Sequence, residues 1–216
     1  MATSRVLQID PTNSTTSGIY SFRSGQAQIN FDIPQGNYLL DPTSIRLEGS
    51  IEFFKNATDN PNVNNTDLLS VNSRLGVYSV FQQLILKSTK TQSNLEHIRH
   101  YNRWMSSYMS LASSPQDHLS HYSQSALTGN NFNETKIGMV DNDDPQDFCL
   151  NLPCGMFNSL RSGIPLTQNT LGGLTLTLML ENDQQALQVL PADNSTPPVI
   201  TAFTQAHYEL SGLRLV

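Results

Sequence analysis

GGLTLTLMLE, residues 172–181, places Leu174, Leu176, Leu178 and Leu180 at every second position, with Thr175, Thr177 and Met179 between them, behind a Gly172-Gly173 turn. A period of two is the signature of a β-strand, because successive side chains leave opposite faces of the pleat. The same period recurs along the chain. Ile29, Phe31 and Ile33 alternate with Asn30 and Asp32 and stop at Pro34, which cannot donate to a ladder. Ile45, Leu47, Ile51 and Phe53 form a longer alternation, with Gly49 at an inward position where a neighbour is expected to pack closely. Leu84 and Leu86 follow GVYSVFQQ, a segment that reads equally as a helical turn or as the start of the strand. Phe148, Leu150 and Leu152 alternate up to Pro153, and a weaker strand covers 186–190. In the last element, 206–216, Tyr208 and Leu210 are out of phase with Leu213 and Leu215, so a bulge is expected at Ser211-Gly212.

One helix is expected at about 93–110. Ser93 followed by Glu96 fits a capping box, and Leu95, Ile98, Tyr101 or Asn102, Met105, and Tyr108 with Met109 recur at helical spacing. Residues 56–72 (NATDNPNVNNTDLLSVN) read as a long exposed loop, and 113–147 as a second polar region with a short helix around 118–125. Residues 1–24, rich in Ser and Thr, read as an extended N-terminal arm, leaving 25–216 as one domain. Strands at intervals, long polar loops and one helix point to an all-β sandwich of about eight short strands.

The 216 residues include only 12 Lys+Arg and 18 Asp+Glu, for a net charge of -6 and a charged fraction of 14%. In their place stand 20 Asn, 24 Ser, 18 Thr and 15 Gln, more than a third of the chain. Charge is the usual guard against association, so this surface suits a protein that touches copies of itself. Four lysines scattered at Lys55, Lys87, Lys90 and Lys136 argue against direct nucleic acid binding. Cys149 and Cys154 form neither a disulfide framework nor a zinc pattern and read as reduced thiols of an intracellular protein. No apolar run approaches the ~20 residues of a membrane span, and the N-terminus lacks the apolar stretch of a signal peptide. Sequons at Asn13, Asn56, Asn64, Asn133 and Asn194 are expected by chance in such a composition.

The chemistry-bearing candidates are few. His97 and His100, with Glu96 beside them, and His118 and His121 are two His-x2-His pairs that a helix would turn toward one metal, but surface histidines are the favoured reading. Asp141, Asp143, Asp144 and Asp147 crowd DNDDPQD, which lacks the central Gly and terminal Glu of a calcium loop, so a solvated acidic loop is favoured. Cys149, between Phe148 and Leu150, reads as a small hydrophobe rather than a nucleophile. Trp104 is expected to pack on the sandwich rather than anchor an interface. No catalytic, cofactor-binding or metal residue is assigned, and no cofactor is expected.

Four segments, read in order, go further: INFDIPQGNYLLDPTSIRLEGSIEF, SVFQQLILKS with LEHIRHYNRW, LNLPCGMFNSLRSGIPLTQNTLGGLTLTLML, and YELSGLRLV. Together they resemble the N-terminal jelly roll of the double jelly-roll major capsid proteins of double-stranded DNA viruses, which include virophages, polinton-like viruses and nucleocytoplasmic large DNA viruses. The resemblance implies an eight-stranded jelly roll with one inserted helix and a non-enzymatic structural protein of the virion, assembled in the host cytoplasm or virus factory. It further implies homotrimers forming pseudo-hexagonal capsomers that tile an icosahedral shell. The implied partners are neighbouring capsomers, penton and minor capsid proteins, with a membrane beneath the shell left open. Members of the family are about twice this length, and Val216 closes an apolar strand without a stop signal, so a second jelly roll is expected beyond it. The alternatives are a single jelly-roll penton or minor capsid protein at the vertices, a carbohydrate-binding β-sandwich using the Asn-rich loops, and a cupin-like metalloenzyme built on the histidines.

Overall fold

The computed structural model describes residues 4–13, 15, 17–54, 68–72, 74–117, 121–128, 139–140, 145–157, 162–190 and 206–216. The alternating segments become strands: β1 Gln28–Ile33, β2 Leu39–Leu40, β3 Arg46–Phe54, β4 Leu68–Val71, β5 Phe81–Ser88, β6 Asn94–Ile98, β7 Met139–Val140, β8 Gln146–Asn151, β9 Ile164–Pro165, β10 Leu174–Leu180, β11 Leu187–Leu190 and β12 His207–Leu215. All pairings are antiparallel. The two larger sheets run β1-β10-β5-β6 and β12-β3-β8, with smaller sheets β11-β4-β7 and β2-β9. The described strands exceed the expected eight, and three of them, β2, β7 and β9, are only two residues long. Ile29, Phe31, Leu176, Leu178, Leu84 and Leu86 from one large sheet share a single buried core with Leu47, Ile51, Phe53, Leu150, Tyr208 and Leu210 from the other. The molecule is an all-β jelly-roll sandwich.

The bulge in β12 falls where the phase slip places it. The register shifts between Ser211 and Arg214, and Gly212 takes φ +59, so Tyr208, Leu210, Leu213 and Leu215 all turn inward. The extra inward residue, Leu213, fills the space over Gly49, where an added Cβ would lie 2.6 Å from Leu213 Cδ2. The missing side chain and the bulge are therefore one packing solution.

The expected helix at 93–110 is corrected at its start. Asn94–Ile98 is strand β6, and the helix α1 covers Tyr101–Ala112. Ser93 and Glu96 do not form a capping box; instead β6 pairs with β5, Leu84 opposite Ile98 and Leu86 opposite Glu96, through a turn in which Gln92 takes φ 56. Without β6, β5 would present an unpaired ladder at the sheet edge, and that long-range demand overrides a local capping pattern. Glu96 does cap backbone, but across the fold: Gly155 N–H and Met156 N–H donate to its two carboxylate oxygens at 2.6 and 3.1 Å. The carboxylate thereby clamps the turn after β8 onto the edge strand of the other sheet. Glu96→Ala is expected to lower stability by about 1–2 kcal/mol in a urea titration; an unchanged midpoint would show that water replaces the clamp.

One further expectation needs correction, and one open reading is resolved. Within the segment read as a loop at 56–72, Leu68–Val71 is a strand, pairing with β11 and β7. The GVYSV half of the ambiguous segment is a 3-10 turn, Gly76–Val80, and the strand begins at Phe81.

The N-terminal segment laces the two sheets together on the side opposite Glu96. Ile9 and Leu215 exchange both backbone hydrogen bonds at 2.9 Å, and Tyr20 and Leu210 do so at 2.8 and 2.9 Å, along the free edge of β12. Between them Thr12 N–H donates to Asn30 O, Asn13 Nδ2 donates to Gln28 O, and Asn30 N–H donates to Asn13 Oδ1, along the free edge of β1. Both exposed ladders are thus paired within the chain, which removes a template for uncontrolled strand addition.

Three tyrosines close one end of the core. Tyr78, Tyr101 and Tyr208 are buried, and their hydroxyls donate to Asn151 O (2.9 Å), Pro153 O (3.2 Å) and Glu181 O (2.7 Å). The first two tie the 3-10 turn and α1 to the end of β8. Glu181, 4% exposed, accepts from Asn102 Nδ2, Gln82 Nε2 and Asn182 N–H, so α1, β5 and the turn after β10 meet on one carboxylate held by neutral donors.

Candidate functional site

The histidine pairs do not converge as helix-borne ligands. His97 lies on β6, exposed, with Nε2 3.0 Å from Gln83 Oε1, and His100 precedes the first turn of α1. The helical spacing assumed for them therefore does not exist, because the strand holds one and the helix entry the other. His121 is exposed and meets Tyr122 edge-on at 5.4 Å; His118 lies outside the described residues. Among the described residues no group of three or more His, Cys, Asp or Glu is placed to hold a metal ion. Of the acidic run, Asp141, Asp143 and Asp144 fall outside the described residues, and Asp147 accepts from Ser50 Oγ at 2.6 Å. Asn13 is the one sequon residue described, and its side chain is engaged with β1.

Cys149 and Cys154 are free thiols in different settings. Cys149 is half-buried on the outward face of β8, 4.0 Å from Glu48 Oε1, rather than in the core, and burial, with the Glu48 carboxylate, raises its pKa. Cys154 is buried, and burial pushes its thiol up to about 12. Reactivity follows the thiolate, so a maleimide or disulfide reagent at neutral pH is expected to label Cys149 slowly and Cys154 only after unfolding. Equal native rates at both would contradict these environments.

Two surface features remain, and neither was legible as a site. The first is a groove of about 460 Å³ on the outward side of the β12-β3-β8 sheet, lined by Glu48, Ser50, Gln124, Asp147, Cys149 and Arg214 among others. Inward Leu47, Ile51 and Leu150 force the alternate residues Glu48, Ser50 and Cys149 outward, so strand alternation alone builds its floor. The second is the side of α1. Tyr101, Met105 and Met109 face the core, and the ring of Trp104 stacks between Tyr101 (5.8 Å, 18°) and Tyr108 (5.3 Å, 16°). Trp104 is 36% exposed and Leu111, two turns on, is 89% exposed. The tryptophan expected to pack on the sandwich is instead held at the surface by its own helix.

No family's sequence pattern matches this chain, and no curated protein matches it. Solved structures do. The PBCV-1 virus capsid quasi-atomic model aligns at 13% identity and TM-score 0.49, over 100% of this chain and 43% of that one. The mavirus major capsid protein aligns at 11% identity and TM-score 0.43, over 100% and 47%. PBCV-1 VP54, in a crystal structure fitted into a cryo-EM reconstruction of the virophage Sputnik, aligns at 14% identity and TM-score 0.51, over 99% and 44%. This chain thus spans less than half the length of each of these proteins. With the strand pairing described above, the VP54 alignment assigns the chain its fold: a jelly roll of the kind found in PBCV-1 VP54.

Proposed function

We propose that this chain is a non-enzymatic structural protein of a viral capsid. In this reading it is the first jelly roll of a major capsid subunit whose homotrimers form capsomers that tile an icosahedral shell, in contact with neighbouring capsomers, penton and minor capsid proteins. The observation that carries the reading is the alignment of 99% of the chain, but only 44% of the partner, with PBCV-1 VP54. The chemistry of the surface supports it. Thr177 Oγ1 donates to Asn30 Oδ1 at 2.9 Å, so two neutral side chains satisfy one another across the outward face of a large sheet. Such a surface enters a subunit contact without the desolvation cost of buried charge.

Sedimentation of the purified product of the complete reading frame tests this. The expected species has three times the chain mass and persists on dilution. A monomer at every concentration, or selective binding on a glycan array without assembly, would overturn the capsid reading.

A further inference from the structure

The side of α1 combines three properties that occur together nowhere else among the described residues. It carries exposed apolar groups at i, i+4 and i+7: Trp104, the half-buried Tyr108, and Leu111. The Tyr101–Trp104–Tyr108 stack fixes the indole before any partner arrives, which lowers the ordering cost of burying it. It is also basic. No acidic residue occurs from His97 through Gln116, while Arg99 and Arg103 are exposed and make no ion pair among the described residues, in a chain of net charge -6.

The outward groove of the β12-β3-β8 sheet has the opposite character. Glu48 and Asp147 line it against a single cation, Arg214; the neighbouring Arg46 guanidinium is turned to the strand end, where it donates to Thr43 O and Ile45 O. Its polar lining, Ser50 and Gln124, offers hydrogen bonds to an indole N–H or a guanidinium. A basic, aromatic ridge and an acidic concavity on the same chain are complementary, and two different patches of one chain in contact make a head-to-tail interface, which closes into a ring when the rotation permits.

We propose that the Trp104–Tyr108–Leu111 stripe, flanked by Arg99 and Arg103, docks against the Glu48–Asp147 groove of a second copy of this chain. The proposal rests on the capsid reading and names a contact between neighbouring capsomers, because three two-jelly-roll subunits around one axis set each first jelly roll beside second ones. Aromatic and arginine anchors are the residue types on which protein interfaces concentrate their binding energy.

The test is sedimentation of the complete chain and four variants, each first checked for an unchanged thermal midpoint. W104A and the charge-reversed pair R99E/R103E are each expected to raise the concentration at which trimers half-assemble into larger species more than tenfold, and E48R/D147R likewise. Combining R99E/R103E with E48R/D147R on one chain restores most of the loss, because every head-to-tail contact then regains opposite charges. Wild-type assembly in all the variants, or loss in each without recovery in the combination, would overturn this contact while leaving the capsid reading intact. A wild-type chain that never assembles would overturn both.

Discussion

Raising the pH above about 10 is expected to unfold this protein steeply. Burial holds the hydroxyls of Tyr78, Tyr101 and Tyr208 well above the ordinary tyrosine value near 10, and desolvation is the leading cause at all three. The unfolded chain gives up these protons near pH 10, whereas the folded chain retains them, so above that pH the folded state binds three more protons and stability falls as pH rises. Below about pH 9 both states hold the same tyrosine protons, and these residues add no pH dependence. With about 1.4 kcal/mol per pH unit for each group, the loss approaches 4 kcal/mol per pH unit, enough to erase a typical folding free energy within two to three units. Cys154 adds to the slope from a lower pH, because its thiol is raised to about 12 from an ordinary value near 8.5. Urea midpoints measured from pH 8 upward check this, with Tyr208→Phe flattening the tyrosine slope by about one third. A midpoint flat through the titration of free tyrosine would mean that these rings reach solvent.

Gly76→Ala is expected to be the most damaging glycine-to-alanine change among the described residues. Gly76 takes φ +58, and a Cβ there would lie 1.8 Å from the carbonyl oxygen of Ala126. That carbonyl accepts from Val77 N–H at 2.8 Å, and the segment carrying it buries Ala126, Leu127 and Thr128. The methyl therefore meets backbone, which has no rotamer to yield, and must push the segment out with its hydrogen bond. Left-handed strain of about 1–2 kcal/mol adds to the overpacking and the lost contacts, for a total above about 4 kcal/mol. Two other glycines calibrate the result. Gly49→Ala meets first the side-chain ends of Leu213 and Phe148, which can shift, with the Ser211 carbonyl oxygen farther at 3.2 Å, and should cost about 1–3 kcal/mol. Gly212→Ala, with φ +59 but nothing within 4 Å, should cost about 1 kcal/mol. If the three variants unfold at the same urea concentration, close approach to Ala126 is not what Gly76 is there to allow.

How far the fold was legible depended on whether its cause was local. The inward sets of β1, β3, β10 and β12 followed from period-two alternation, and even the bulge at Gly212 and the close packing over Gly49 could be read from a phase slip and a missing side chain. The candidate surfaces were hidden. Trp104 sits on a helix whose core face, Tyr101, Met105 and Met109, was legible from spacing, but its own exposure depends on what the fold leaves uncovered. The histidine pairs failed as a site for a related reason: spacing of three brings side chains together only on a helix, and His97 is on a strand.

The sequence by itself determined the alternation of β1, β3, β8, β10 and β12, the Tyr101–Met105–Met109 face of the helix and a surface rich in neutral hydrogen-bonding groups, because each depends on side chains a few residues apart. Only the tertiary structure decided that residues 94–98 pair as an edge strand instead of opening a helix, and that Glu96 clamps a turn about 60 residues on. It also decided that Ile9, Thr12, Asn13 and Tyr20 pair along the free edges of β1 and β12. Those outcomes come from pairing backbone groups that would otherwise stand open at a sheet edge, and an edge exists only once the sheets have formed.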